Sequence, residues 1–123
     1  MIGYITLGTN DIQRAAKFYD ELLTVIGAGR FMEADTFIAW TTAPGQPGLS
    51  VIKPFDGNPA TVGNGVMVAL ALDSKEKVDA LYNKAIALGG ADEGAPGQRG
   101  DGFYAAYFRD LDGNKLNGFY MGK

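Results

Sequence analysis

The chain predicts an α+β fold of two tandem βαβββ modules, each a strongly twisted mixed sheet with its helix outside and its other face turned into a cup. Three observations lead there. A strand-then-helix pattern opens the chain, the same pattern returns later, and each copy ends in a group of short strands. Sliding the sequence by 63 residues superposes the copies: Tyr4 falls on Met67, Thr6 on Ala69, Asn10 on Asp73, Tyr19 on Tyr82 and Gly27 on Gly90. Few of these matches are identities, so the order of elements carries the inference. The modules run over 1–57 and 65–123, joined by 58–64 inside a stretch rich in Gly, Pro, Asn and Asp.

Residues 2–8 alternate, with Ile5 and Leu7 on one face and Tyr4 and Thr6 on the other, as a half-buried strand does. Asn10 is placed to cap the next helix, with Gln13 completing a capping box. Ile12, Ala15, Ala16, Tyr19, Leu22, Leu23 and Ile26 follow at helical spacing until Gly27 and Gly29 end the run. Short strands are expected at 30–32, 36–42 and 49–53, the last two separated by a Pro- and Gly-rich loop.

In the second copy 66–72 alternate, with Met67, Ala69 and Ala71 on one face. Asp73 with Glu76 caps a helix whose apolar stripe is Val78, Leu81, Tyr82, Ala85 and Leu88, and Gly89-Gly90 ends it. Residues 91–102 read as a loop. The chain closes with a hairpin, 104–109 and 115–120, around Asp112-Gly113-Asn114, residues that tolerate the positive φ of a tight turn. The acidic turn also resembles half a calcium loop. Counted from Asp110, however, the sixth position is Lys115 rather than Gly and the twelfth is Met121 rather than Glu, so a plain turn is expected.

Composition narrows the chemistry. A chain of 123 residues, 46% hydrophobic and 20% charged, is that of a globular domain. A net charge of −3 without any basic run excludes a nucleic-acid or anionic-membrane surface. No apolar stretch approaches the ~18 residues of a membrane helix, and no signal peptide is expected at the start. The absence of Cys removes disulfides and thiolate chemistry and fits a cytoplasmic protein. The absence of His decides more. No His–Cys zinc site, Ser-His-Asp triad or two-His-one-carboxylate iron site can be built from this chain.

With helices on one face of each sheet, a ligand belongs on the other. Strand parity nominates Tyr4 and Thr6, Met67 and Ala69, and Asn117 and Phe119 for that inner face. Trp40 and Ser50 are added from the middle strands, and Tyr107 is added if Phe108 packs against the helix. The set is aromatic and soft with a few neutral hydrogen-bonding groups, suited to a flat or apolar organic molecule. The competing reading is that these residues fill a core. Neither Gly63-x-Gly65 nor Gly100-x-Gly102 has the third Gly of a dinucleotide fingerprint. Glu33, Asp35, Asp92 and Glu93 read as solvated, and Arg99 and Asp101, on the Gly-rich loop before the last hairpin, as part of a surface loop, the alternative being that they close over a ligand.

The two βαβββ halves, the Asn10-Asp11-Ile12…Phe18-Tyr19 opening helix and the Asp110-Leu111-Asp112-Gly113-Asn114-Lys115 turn resemble the vicinal oxygen chelate superfamily. That is the family of glyoxalase I, bleomycin-resistance proteins, fosfomycin-resistance enzymes and extradiol dioxygenases. The resemblance covers the whole chain. In that family each half supplies a metal-ligating His on its first strand and a carboxylate on its last. Here those positions are Tyr4 and Met67, and Ser50 and Asn117, all neutral. The resemblance therefore implies the fold, the cup and a homodimer, with no metal or cofactor and a small organic molecule as ligand. Two alternatives stand beside it: a lyase or isomerase using Tyr4 as acid or base, and an interaction module with a filled cup.

Overall fold

A computed structural model describes residues 1–122. Among the described residues eight strands and two α-helices follow in the order β1 (Tyr4–Gly8), α1 (Ile12–Leu22), β2 (Gly29–Ala34), β3 (Phe37–Thr41), β4 (Gly48–Ile52), β5 (Val68–Ala71), α2 (Lys75–Ala87), β6 (Ala91–Gly100), β7 (Phe103–Arg109) and β8 (Lys115–Met121). A 3-10 turn, Leu23–Ile26, prolongs α1. The strands form two separate four-stranded sheets, β1-β4-β3-β2 and β5-β8-β7-β6. In each, the first strand pairs parallel with the last and the others pair antiparallel. The repeated order is the tandem βαβββ architecture the sequence predicts.

One continuous core joins the modules. From α1, Ile12, Ala15, Phe18, Tyr19 and Leu22 are buried, and from α2, Val78, Leu81 and Ala85. They meet Leu7, Ile38, Trp40 and Val51 of the first sheet and Ala106, Phe108 and Leu116 of the second. Each fully buried large apolar side chain contributes about 1.5–3 kcal/mol, so this layer between helices and sheets holds the fold. Gly118 is part of the fit. A Cβ there would lie 2.7 Å from Leu81 Cδ2, so α2 sits closer to β8 than any side chain allows.

Both helix starts fall one residue later than expected. Asp11, not Asn10, caps α1 by accepting from the Arg14 amide at 3.1 Å. Ser74, not Asp73, caps α2 by accepting from the Lys77 amide. In each case two capping-competent residues are adjacent. Asn10 is drawn away by other bonds: its side chain accepts from the Ala60 amide at 2.7 Å and donates to the Ala60 carbonyl at 3.2 Å. The segment expected as a loop, 91–102, is mostly the strand β6. It lies at the sheet edge, with three register shifts against β7 that accommodate Gly94, Pro96 and Gly97.

The turn between β7 and β8 joins the modules. Asp110 Oδ1 accepts from the amides of Asp112 and Asn114, both at 2.9 Å. Its Oδ2 accepts from the Tyr19 hydroxyl at 2.6 Å and from Asn114 Nδ2 at 3.0 Å. Asn114 Nδ2 also donates to the Gly8 carbonyl at 2.9 Å. Asp112 accepts from the Asn10 amide at 3.0 Å and pairs with Arg14 at 3.4 Å. The carboxylates that suggest a calcium loop are thus spent on the turn itself and on module one. Burial, and then the neighbouring Asp110 carboxylate, push the Tyr19 phenol well above its ordinary range.

Candidate functional site: two open sheet faces and the groove between them

The helices leave the opposite face of each sheet uncovered. On the first sheet, Tyr4 and Thr6 project from β1 and Phe37 from β3, with Ser50 and Ala39 between them in register. Tyr4, Thr6, Phe31, Met32, Phe37 and Ile52 line a hollow of about 310 Å³. The Tyr4 and Phe37 rings meet edge to face with centroids 6.0 Å apart. Gly48 opens room for Phe31: an added Cβ there would sit 3.1 Å from its ring. This wall is apolar and carries no charged side chain at the hollow.

The second sheet presents a different wall. Phe103 and Phe119 stack with centroids 5.6 Å apart. Beside them Asn117 pairs in register with Tyr107 and Ala69. The Tyr107 ring has the Arg99 guanidinium and the Lys115 ammonium each 5.6 Å from its centroid. Arg109 and Lys115, with Met67 and the 62–66 segment, border a hollow of about 510 Å³.

Between the sheets runs a groove. Strands β1 and β5 are the facing edges, and no strand pairing joins the two sheets. The groove has a volume of about 690 Å³, with Ile2, Thr6 and Gly48 on one side and Val66, Met67 and Ala69 on the other. It shares Thr6 with the first hollow and Val66 and Met67 with the second, so the three adjoin one another. Its size and apolar lining are those of small-molecule sites.

The expected residues sort accordingly. Tyr4, Thr6 and Met67 border these hollows, as Ala69 does. Asn117, Phe119 and Tyr107 share the open face of the second sheet, because Leu116, Gly118 and Phe108 point into the helix layer. Ser50 is on the open face but wholly buried, its hydroxyl donating to the Ile5 carbonyl. Trp40 is the correction. It lies on the opposite face, against α1, with its ring 5.6 Å from that of Tyr19 and its Nε1 donating to Asp20 at 2.9 Å. That carboxylate also receives two bonds from Arg30, which, with the indole, hold it below the usual range despite partial burial. Arg109, Lys115 and Phe31 join the site without a signal in the sequence, since the pairing that brings Lys115 beside Tyr107 is legible only once β7 and β8 are in register. Arg99, a candidate to close over a ligand from a loop, sits on the strand β6 instead.

The family model of the glyoxalase/bleomycin resistance protein/dioxygenase superfamily matches residues 1–117. The chain belongs to that superfamily. A glyoxalase/bleomycin resistance protein from Albidiferax ferrireducens is 36% identical with a TM-score of 0.92, the match covering 99% of each chain. A hypothetical protein from S. aureus is 28% identical with a TM-score of 0.75, over 98% of this chain and 92% of the other. The lactoylglutathione lyase of Agrobacterium tumefaciens, 22% identical with a TM-score of 0.71 over 98% of this chain and 92% of that one, shares the fold. None of the curated proteins matches the chain.

The superfamily's metal-binding pattern does not fit the residues found here. Of its four ligand positions, Asn117 donates through Nδ2 to the carbonyls of Ala106 and Gly118, at 3.0 and 3.1 Å, within its own sheet. Ser50 likewise spends its hydroxyl on a backbone carbonyl. Met67 offers a soft thioether and Tyr4 a neutral phenol, so a hard divalent ion would gain no charge compensation. Among the described residues no group of three or more His, Cys, Asp or Glu side chains is arranged to hold a metal.

Proposed function

We propose that this superfamily member binds a small organic molecule with an apolar or aromatic body in the cup, without a metal ion. The observation that carries the reading is the continuous groove between β1 and β5, open, apolar and large enough for such a guest. The chemistry of Tyr4, Ser50, Met67 and Asn117 supports binding over metal-assisted turnover. The test is a fluorescence titration with the neutral dye N-phenyl-1-naphthylamine. Ala69 is exposed on the groove wall, and Trp is well tolerated on a strand, so Ala69→Trp fills the groove from one side. The variant is expected to bind the dye at least about tenfold more weakly, a loss of roughly 1.4 kcal/mol. Its circular dichroism should be unchanged, and wild-type binding should survive dialysis against a chelator. Wild-type affinity in the variant, or loss of binding after chelation, would overturn the reading.

We further propose a homodimer. Phe31 and Met32 are exposed side by side on the edge strand β2, and Phe55 is exposed on the connection between modules, apolar surface that a second copy would cover. Sedimentation equilibrium at tens of micromolar should return twice the chain mass. A monomer at that concentration contradicts the proposal.

A further inference from the structure

The two walls of the cup differ in charge, and this difference narrows the guest. On the second sheet two cations flank one ring and a third lies beside them. Arg99 and Lys115 flank Tyr107, and Arg109 pairs across the hairpin with Lys115 in register. One carboxylate, Glu93, serves two of them, lying 3.4 Å from Arg109 and 4.0 Å from Lys115. Among the described residues Arg99 has no carboxylate within ion-pair distance; its guanidinium donates to the Ala95 carbonyl. The glycines of β6 make that posture possible. An added Cβ would lie 3.3 Å from Arg99 Nη2 at Gly94 and 3.0 Å from Nη1 at Gly97, so the side chain lies flat where neighbours are missing.

The nearby acids are turned the other way. Asp92 accepts from Tyr82 of α2 at 2.8 Å, and Asp79 of α2 accepts from Tyr104 at 2.6 Å, both on the helix side of the sheet. A chain of net charge −3 thus concentrates positive charge on one open sheet face. That face adjoins the groove, since the hollow bordered by Arg109 and Lys115 shares Val66 and Met67 with it. The opposite wall, from Tyr4 to Phe37, is aromatic and uncharged.

We infer that the ligand is an organic acid, its apolar body lying along the groove toward the first sheet and its anionic group held by Lys115 on the second, with Arg99 across the Tyr107 ring adding to the positive field of the same face. The inference rests on the cup being the binding site. A carboxylate or sulfonate placed there displaces no carboxylate from Arg99 and adds the counter-charge that Glu93 alone does not supply. Tyr107, stacked against both cations, holds them in place while they wait.

Two naphthalene dyes that differ chiefly by one acid group test this. They are 1-anilinonaphthalene-8-sulfonate and N-phenyl-1-naphthylamine. In low salt the wild type is expected to bind the sulfonate at least about fivefold more tightly, and about 0.5 M NaCl should erase most of that preference. An Arg99→Gln/Lys115→Gln double variant, with circular dichroism unchanged, should lose the preference for the sulfonate. A Lys17→Gln variant, altered on the exposed side of α1, should keep it. Equal binding of the two dyes by the wild type overturns the inference and leaves the cup standing, as does a preference that survives in the double variant or vanishes in Lys17→Gln. Failure of both dyes to bind overturns the cup and this inference together.

Discussion

Asp110→Ala is expected to destabilise the protein by about 3–5 kcal/mol, a large share of the ~5–15 kcal/mol that holds a domain of this size. The reason lies in what the carboxylate satisfies. Four donors converge on it: the amides of Asp112 and Asn114, the Asn114 side chain and the Tyr19 hydroxyl. Alanine leaves all four without their acceptor in a site where Asp110 is 6% exposed and Tyr19 fully buried. Each orphaned buried donor costs about 1–3 kcal/mol, and the losses overlap because the turn relaxes as one unit.

Asp110→Asn keeps one oxygen acceptor and puts an amide against a donor, so it should fall between alanine and wild type. Tyr19→Phe should cost least, about 1–2 kcal/mol, since Asn114 still satisfies that oxygen. Urea denaturation orders the three. Equal stability of Asp110→Ala and wild type would show that the turn does not hold the modules together. The same bond has an alkaline signature. The Tyr19 pKa is raised in the fold above the ordinary phenol value of 10.0, so its stabilisation is complete below that pH. Above it the unfolded chain gives up a proton that the folded chain keeps, and stability declines. Tyr19→Phe should flatten that decline.

Gly90→Ala is the second large effect, about 2–3 kcal/mol or more. Gly90 leaves the end of α2 and enters β6, and its amide donates to the Ala85 carbonyl at 2.8 Å. A Cβ would lie 2.7 Å from the Arg109 carbonyl oxygen and 2.8 Å from that of Ala85. Both are backbone atoms already fixed by helix and strand, so no side chain can move aside. Gly29→Ala, with nothing within 4 Å of its added carbon, is the matched control and should stay within about 0.5 kcal/mol of wild type. Similar melting temperatures for the two variants would mean that the helix-to-strand junction has slack the geometry does not show.

Which parts were legible follows from where the pattern carried phase. In β1 and β8 one face is apolar and the other mixed, so parity alone put Tyr4 and Asn117 on the open side; β5 is apolar on both faces, and there the 63-residue shift that lays Met67 on Tyr4 supplied the sign. In β3 it did not, because Phe37, Ile38, Ala39 and Trp40 are all apolar and alternation has no sign there. The phase is set instead by Asp20, whose carboxylate draws the indole toward α1. The strand β6 was hidden for a different reason. Gly94, Pro96 and Gly97 read as a loop, yet a sheet edge tolerates a missing donor and uses the missing side chains to seat Arg99. Each helix start was a tie between neighbours; at α1 it is broken by Ala60, which takes up the Asn10 side chain, and at α2 Asp73 pairs with the Lys77 ammonium while Ser74 takes its amide.

The turn at Asp110–Asn114 has a counterpart in the first copy, the connection between β3 and β4, and the two have parted ways. The counterpart holds no carboxylate. Thr41 bonds the carbonyls of Ala43 and Gln46, and the Gln46 amide bonds that of Ala43, so its polar bonds stay local. Two connections hold the same place in the repeated architecture, and only the later is a clasp. The earlier is left with evolutionary latitude: lengthening it costs little beyond loop-closure entropy, whereas any insertion in the clasp would separate the halves it fastens.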